Sequence, residues 1–173
     1  MGSSANCTFP VYLCLSYFLF LPFIKENQYW VKYNNVELCS TIVANKIYYA
    51  HMMHEYGTEA ERANLDLIRK AFPGAEILNP ADFQNSSDMK YYLGLERSCD
   101  AVVFSKTDGK IGAGVGEEVN DAINRKCEVF ELLRGGGVQR VTESIEHLDV
   151  PQTKALLAKH GFSIQAKEKN GPV

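Results

Sequence analysis

The chain has 173 residues, of which 46% are hydrophobic and 23% charged, enough for one domain with a real core and a short appendage. A formal charge of −3 and a pI near 5.8 supply no basic face, which argues against a nucleic-acid polymer as partner and leaves small nucleosides or nucleotides open. Cys7, Cys14, Cys39, Cys99 and Cys127 form no C-x-x-C pair and no even framework, so neither a disulfide scaffold nor a zinc ribbon is expected, and reduced, cytoplasmic thiols are.

Residues 1–44 differ in character from the remainder of the chain. The run "VYLCLSYFLFLPFI" (11–24) is nearly all apolar, and a polar stretch containing Trp30 separates it from Asn45. A membrane-spanning helix needs about 20 apolar residues. This run is shorter, meets Pro22 and has no basic residue before it, so no stable membrane association is expected and a signal peptide would be poorly formed. The segment reads as a non-catalytic appendage.

From residue 46 a β/α rhythm sets in, which predicts an α/β fold with a mostly parallel sheet of about five strands. "KIYYA" (46–50) is the first strand. "GTEAERANLDLIRKAF" comes next as a helix, with Thr58 and Glu61 at capping-box spacing and Leu65, Ile68 and Phe72 in one apolar stripe. "AEILNP" (75–80) is a second strand stopped by proline, and Ser86 or Ser87 can cap a helix running toward Ser98. "DAVVFS" (100–105) is a third strand apolar enough to be buried on both faces. "CEVFEL" (127–132) is a fourth, and after "RGGG" the short run "VQRVT" precedes a helix over residues 151–160 that Gly161 ends. The domain is expected to span residues 45–166, with a frayed tail over 167–173.

Between the third and fourth strands lies "GAGVGEEVNDAI" (112–123), a glycine-rich turn entering a helix with two adjacent acids. At 100° per residue, Val115, Val119, Ala122 and Ile123 share the face that packs on the sheet, and Glu117, Asp121 and Asn124 fall opposite. Glu118 lands at the border of the apolar stripe, where it can look across the carboxyl ends of the strands. Either acid would also suit a helix N-terminus electrostatically.

"KIYYA" as first strand, "CDAVVF" as third strand led by an aspartate, and "GAGVGEEVNDAI" entering a helix together resemble the nucleoside 2-deoxyribosyltransferase superfamily, which includes deoxynucleotide N-hydrolases. The resemblance covers residues 46–132. It implies a flavodoxin-like (Rossmann-like) three-layer sandwich, no metal and no organic cofactor, a nucleoside or nucleotide substrate, and a homodimer or higher homo-oligomer. It further implies Glu118 as nucleophile, through the register Gly114, Gly116, Glu118, with Tyr48 orienting it and Asp100 assisting the leaving base. Tyr49 is the register alternative to Tyr48. His51 could likewise serve the leaving base or contact substrate. Asn79 and Asp82 could hydrogen-bond a sugar or base, and Gly112, Gly114 and Gly116 would let the sugar approach the backbone closely. Gly112 stands where family hydrolases place a phosphate-binding serine, so that contact is missing. The loop "HMMHEYG" is bulkier than in the family, which implies a different substrate or a lid.

His51 and His54 lie three apart but lack a third ligand at recognisable spacing, so no metal is expected. Asp108 and Lys110 read as turn residues and Asn120 as surface. The chemistry these residues suggest is cleavage or transfer at an N-glycosidic bond through a covalent glycosyl-enzyme. Two alternatives stay open: a module that binds a nucleotide-derived signal without turnover, and an NAD glycohydrolase similar to TIR domains.

Overall fold

A computed structural model of the chain describes residues 44–83 and 88–163, together with the backbone of two strands, β1 (Tyr29–Tyr33) and β2 (Val36–Ser40). These two pair antiparallel within the segment read as an appendage, so the stretch around Trp30 is a hairpin rather than a plain connector. The apolar run 11–24, Ser86 and Ser87, and the tail 167–173 lie outside the described residues. Among the described residues no helix is long and apolar enough to cross a membrane.

The rest is an α/β domain built in chain order from β3 (Lys46–Ala50), α1 (Glu59–Ala71), β4 (Glu76–Leu78), α2 (Met89–Glu96), β5 (Ala101–Phe104), α3 (Ala113–Asn124), β6 (Glu128–Leu132), β7 (Val138–Val141) and α4 (Val150–Lys159). The sheet order is β4-β3-β5-β6-β7, parallel except for the final antiparallel pair β6/β7. This is the doubly wound order in which the chain leaves the first strand toward one edge and returns past it to the other. The reversal falls between β3 and β5, and in such sheets the crevice beyond those two carboxyl ends takes the ligand.

Alternation along β3 decides what each face sees. Tyr48 and Ala50 point into a core shared with Val102, Phe104, Val115, Val119, Leu156 and Leu157, and Ile47 and Tyr49 point into one shared with Ile68, Phe72, Val103 and Phe130. One helix, α1, therefore covers one face, while α2, α3 and α4 cover the other. The stripe read on α1 is the one that packs: Ile68 is fully buried, Phe72 nearly so, and each contributes roughly 1.5–3 kcal/mol of burial.

Local signals set most boundaries. Thr58 caps α1 by accepting from Glu61 N at 3.2 Å, and Asp149 forms a full capping box with Gln152 at the start of α4. The cap of α2 is Asp88, accepting from Lys90 N at 3.0 Å, in place of the serines expected before it. Asp108 and Gly109 turn with φ of 50° and 75°, closed by the Thr107–Lys110 pair, as their sequence suggested. The β6/β7 hairpin closes through Gly135, Gly136 and Gly137, with φ of 102°, 97° and 90°.

Candidate active site at the switch point

Glu118 and Glu117 separate as helix geometry predicts: Glu118 is 6% exposed and Glu117 lies in solvent. The Glu118 side chain reaches β3, where the fully buried Tyr48 hydroxyl donates to its Oε1 at 2.7 Å. Burial pushes the Glu118 carboxyl up to about 8; the Tyr48 hydrogen bond opposes the rise and the charges of Glu96 and Glu117 add to it. Tyr48 is itself driven far above the ordinary phenol range by burial and by the Glu118 charge. Tyr56, from the loop after β3, and Tyr92, from α2, are also raised, first by burial, with Glu118 contributing to both. The acid thus sits among three tyrosines contributed by three separate segments.

A second buried polar group lies on the α1 face of the same strand. His51 follows β3, is 3% exposed, and stacks flat on Tyr49 with ring centres 4.1 Å apart. Its Nδ1 lies 3.1 Å from the Tyr49 carbonyl and its Nε2 3.0 Å from Glu61 Oε1. Glu61 also accepts from Gly57 N at 2.6 Å and from Asn79 Nδ2 at 3.0 Å. Burial works against ionising Glu61, but the bonds from Asn79, Gly57 and His51 outweigh it and hold the carboxyl below its usual range. Both neighbours of the imidazole are then oxygen atoms, the Tyr49 carbonyl and the Glu61 carboxylate. Tyr56 packs on His51 at 4.9 Å and so joins this cluster to the surroundings of Glu118.

Several expected site residues fall elsewhere. Asp100 stands at the amino end of β5, where its exposed carboxylate accepts from Asn45 N at 2.9 Å and Lys46 N at 3.0 Å. Because β3 and β5 run parallel, that clasp fixes Asp100 at the edge of the sheet opposite the switch point, and the structure does not bring it to Glu118. Tyr49, on the other face from Tyr48, bonds Ser105 Oγ and Asn64 rather than Glu118. Asn79 is buried on Glu61, whereas Asp82 is exposed in a 3-10 turn. His51 and His54 diverge, His51 to Glu61 and His54 to the ring of His160 at 4.7 Å.

The glycines are approached by the protein itself. A Cβ on Gly112 would come within 3.1 Å of Met52, one on Gly114 within 3.0 Å of Met89, and one on Gly116 within 2.2 Å of the His147 ring. His147 belongs to the segment that leads into α4 and lies along α3. Asn120, expected at the surface, holds this segment through two bonds with Ile145, at 3.1 and 2.9 Å. Thr153 Oγ1 accepts from Ala113 N at 2.9 Å, so the first helical amide of α3 is already used. The close approach expected of a sugar is therefore occupied at all three positions by side chains of this chain.

Two acids carry more than their sequence suggested. Glu61 reads as the partner of Thr58 in a capping box, yet its carboxylate turns inward to His51 and Asn79. Glu96 is fully buried at the end of α2, with Arg125 on Oε1 and no partner for Oε2 among the described residues. Burial raises it to about 7 against the pull of Arg125. Nothing in "LGLERS" distinguishes it from a solvated helix acid. Two clefts, beside Cys127 and beside Ser105, lie away from Glu118. No family model matches the chain, and neither the curated proteins nor the solved structures provide a match.

Proposed function

We propose that the chain cleaves or transfers at the N-glycosidic bond of a (deoxy)nucleoside or nucleotide, with Glu118 as nucleophile. The observation that carries this reading is the buried 2.7 Å bond from Tyr48 to Glu118, which fixes one carboxylate oxygen and leaves the other for chemistry at the switch point. The Glu118 carboxylate attacks the anomeric carbon, the carbon–nitrogen bond breaks, and its electron pair departs with the base. Water or a second base then displaces the glycosyl ester, giving hydrolysis or transfer. Asp100 has no part in these steps, and His51, with both ring nitrogens engaged, positions the loop that carries Tyr56. The Tyr56 phenol is assigned to hydrogen-bond the leaving base. A homo-oligomer acting in the cytoplasm belongs to the same proposal.

A carboxyl raised to about 8 also fits the signal-binding alternative, because a protonated Glu118 donates a hydrogen bond instead of attacking. The deciding experiment is base release from a panel of nucleosides, deoxynucleotides and NAD across a pH range of about 5–9, with wild type, Glu118→Ala and Glu117→Ala. The expected result is release that rises with pH until about 8, is abolished in Glu118→Ala and is retained in Glu117→Ala. Nicotinamide release from NAD alone favours the TIR-like reading. Thermal stabilisation without release, or equal losses in the two variants, overturns the assignment.

A further inference from the structure

We infer that the cleft at the carboxyl ends of β5 and β6 is a binding site for the phosphate of a phosphorylated small molecule, on the face of the sheet opposite Glu118. The cleft holds about 330 Å³, and its lining includes Asn64, Ser105, Lys106, Glu131 and Arg134. That volume is within the range of small-molecule sites, and the location is the ligand-bearing edge of a doubly wound sheet.

Hydrogen bonds at its floor link Asn64, Tyr49 and Ser105. Asn64 Nδ2 donates to the Tyr49 hydroxyl at 2.8 Å, and the Tyr49 and Ser105 oxygens are 3.0 Å apart. Either oxygen of the Tyr49–Ser105 pair can be the donor, and with Asn64 already donating to Tyr49 the arrangement that also satisfies the Tyr49 proton has Tyr49 donating to Ser105. In that arrangement the Ser105 proton is available to an acceptor in the cleft that Ser105 lines. The charges agree. Lys106 is paired with Glu131 at 2.7 Å, while Arg134, exposed on the glycine turn, has no ion-pair partner among the described residues. The cleft therefore carries a net positive charge, a free guanidinium fork and a hydroxyl donor, the donor set that a phosphate oxygen cluster takes.

The test is titration of the full chain with inorganic phosphate, a deoxynucleoside 5′-monophosphate and the matching nucleoside, followed by amide NMR shifts and calorimetry. Arg134→Gln and Ser105→Ala are compared with wild type and with Glu118→Gln, and circular dichroism checks that each is folded. Expected is phosphate binding that weakens about tenfold in Arg134→Gln and measurably in Ser105→Ala, with shifts at residues 105–106 and 131–134, and that persists in Glu118→Gln. Monophosphate binding much tighter than phosphate, with the excess lost in Glu118→Gln, identifies the substrate's own phosphate, and this identification rests on the glycosidase reading. Equal affinities identify a separate regulator. No phosphate binding, or binding indifferent to both cleft variants, overturns the inference. Phosphate binding without base release from any substrate sinks the glycosidase reading alone.

Discussion

Two neighbouring glutamates with the same chemistry end in opposite environments because one residue is a turn of about 100° on a helix. Glu117 keeps its water, while Glu118 gives up its hydration for a single phenol. Tyr48→Phe removes that donor, and the one interaction opposing burial goes with it. The pH–rate curve for base release should therefore move further alkaline, with kcat at neutral pH falling about tenfold to a hundredfold. An unshifted profile would mean that Tyr48 is only packing. Asp100 gives the converse case. Asp100→Ala loses two bonds to backbone amides and should cost about 1 kcal/mol in urea denaturation while turnover per folded molecule stays at the wild-type level. A collapse in turnover at unchanged stability would return Asp100 to the catalytic machinery.

At the scale of elements, α3 shows why a helix that is rich in glycine is tolerated. Gly114 and Gly116 weaken it intrinsically, and the lost stability is offset where His147 and Met89 pack against bare backbone. The segment that carries His147 is clamped at Asn120 and at Ile111 through the Leu148 amide, and α4 beyond it is held to α3 by the Ala113–Thr153 bond. Gly116→Ala should destabilise by about 1–3 kcal/mol, because His147 Cβ and ring atoms must move and not merely a flexible tip. The sign is the informative part: alanine alone would strengthen the helix by up to about 1 kcal/mol, so a variant more stable than wild type would show that the packing is incidental.

For the whole molecule, the buried acids set the response to pH. Glu118, raised from 4.5 to about 8, and Glu96, raised from 4.5 to about 7, keep protons in the folded state that the unfolded chain releases. Their contribution is fully present below about pH 4.5 and is lost as pH climbs through 7 and 8. Glu61, lowered by its hydrogen bonds, works in the opposite sense and loses its contribution as the solution turns acidic. Glu118→Gln should match wild type near pH 4 and exceed it by on the order of a few kcal/mol at about pH 8, with a flatter stability curve between. Parallel curves for the two proteins in urea titrations at about pH 4, 6 and 8 would refute the buried, neutral carboxyl.

Much of the architecture was legible because its causes are local. The alternation of "KIYYA" and "AVVF", the stripe on α1, the Thr58 and Asp108-Gly109 signals and the phase of Glu118 depend only on neighbours within a few residues. What the sequence could not assign depends on residues far apart in the chain. Glu61 looks like half a capping box until β3 and β4 deliver His51 and Asn79 to it. Asp100 looks like a site residue until the parallel register puts it at the far edge. The glycines look like room for a ligand until Met52, Met89 and His147, each from a different segment distant in the chain or on another element, fill it. A helix acid is chemically the same whether water or protein surrounds it, and only the packing of distant segments determines which of these acids is buried, paired and able to react.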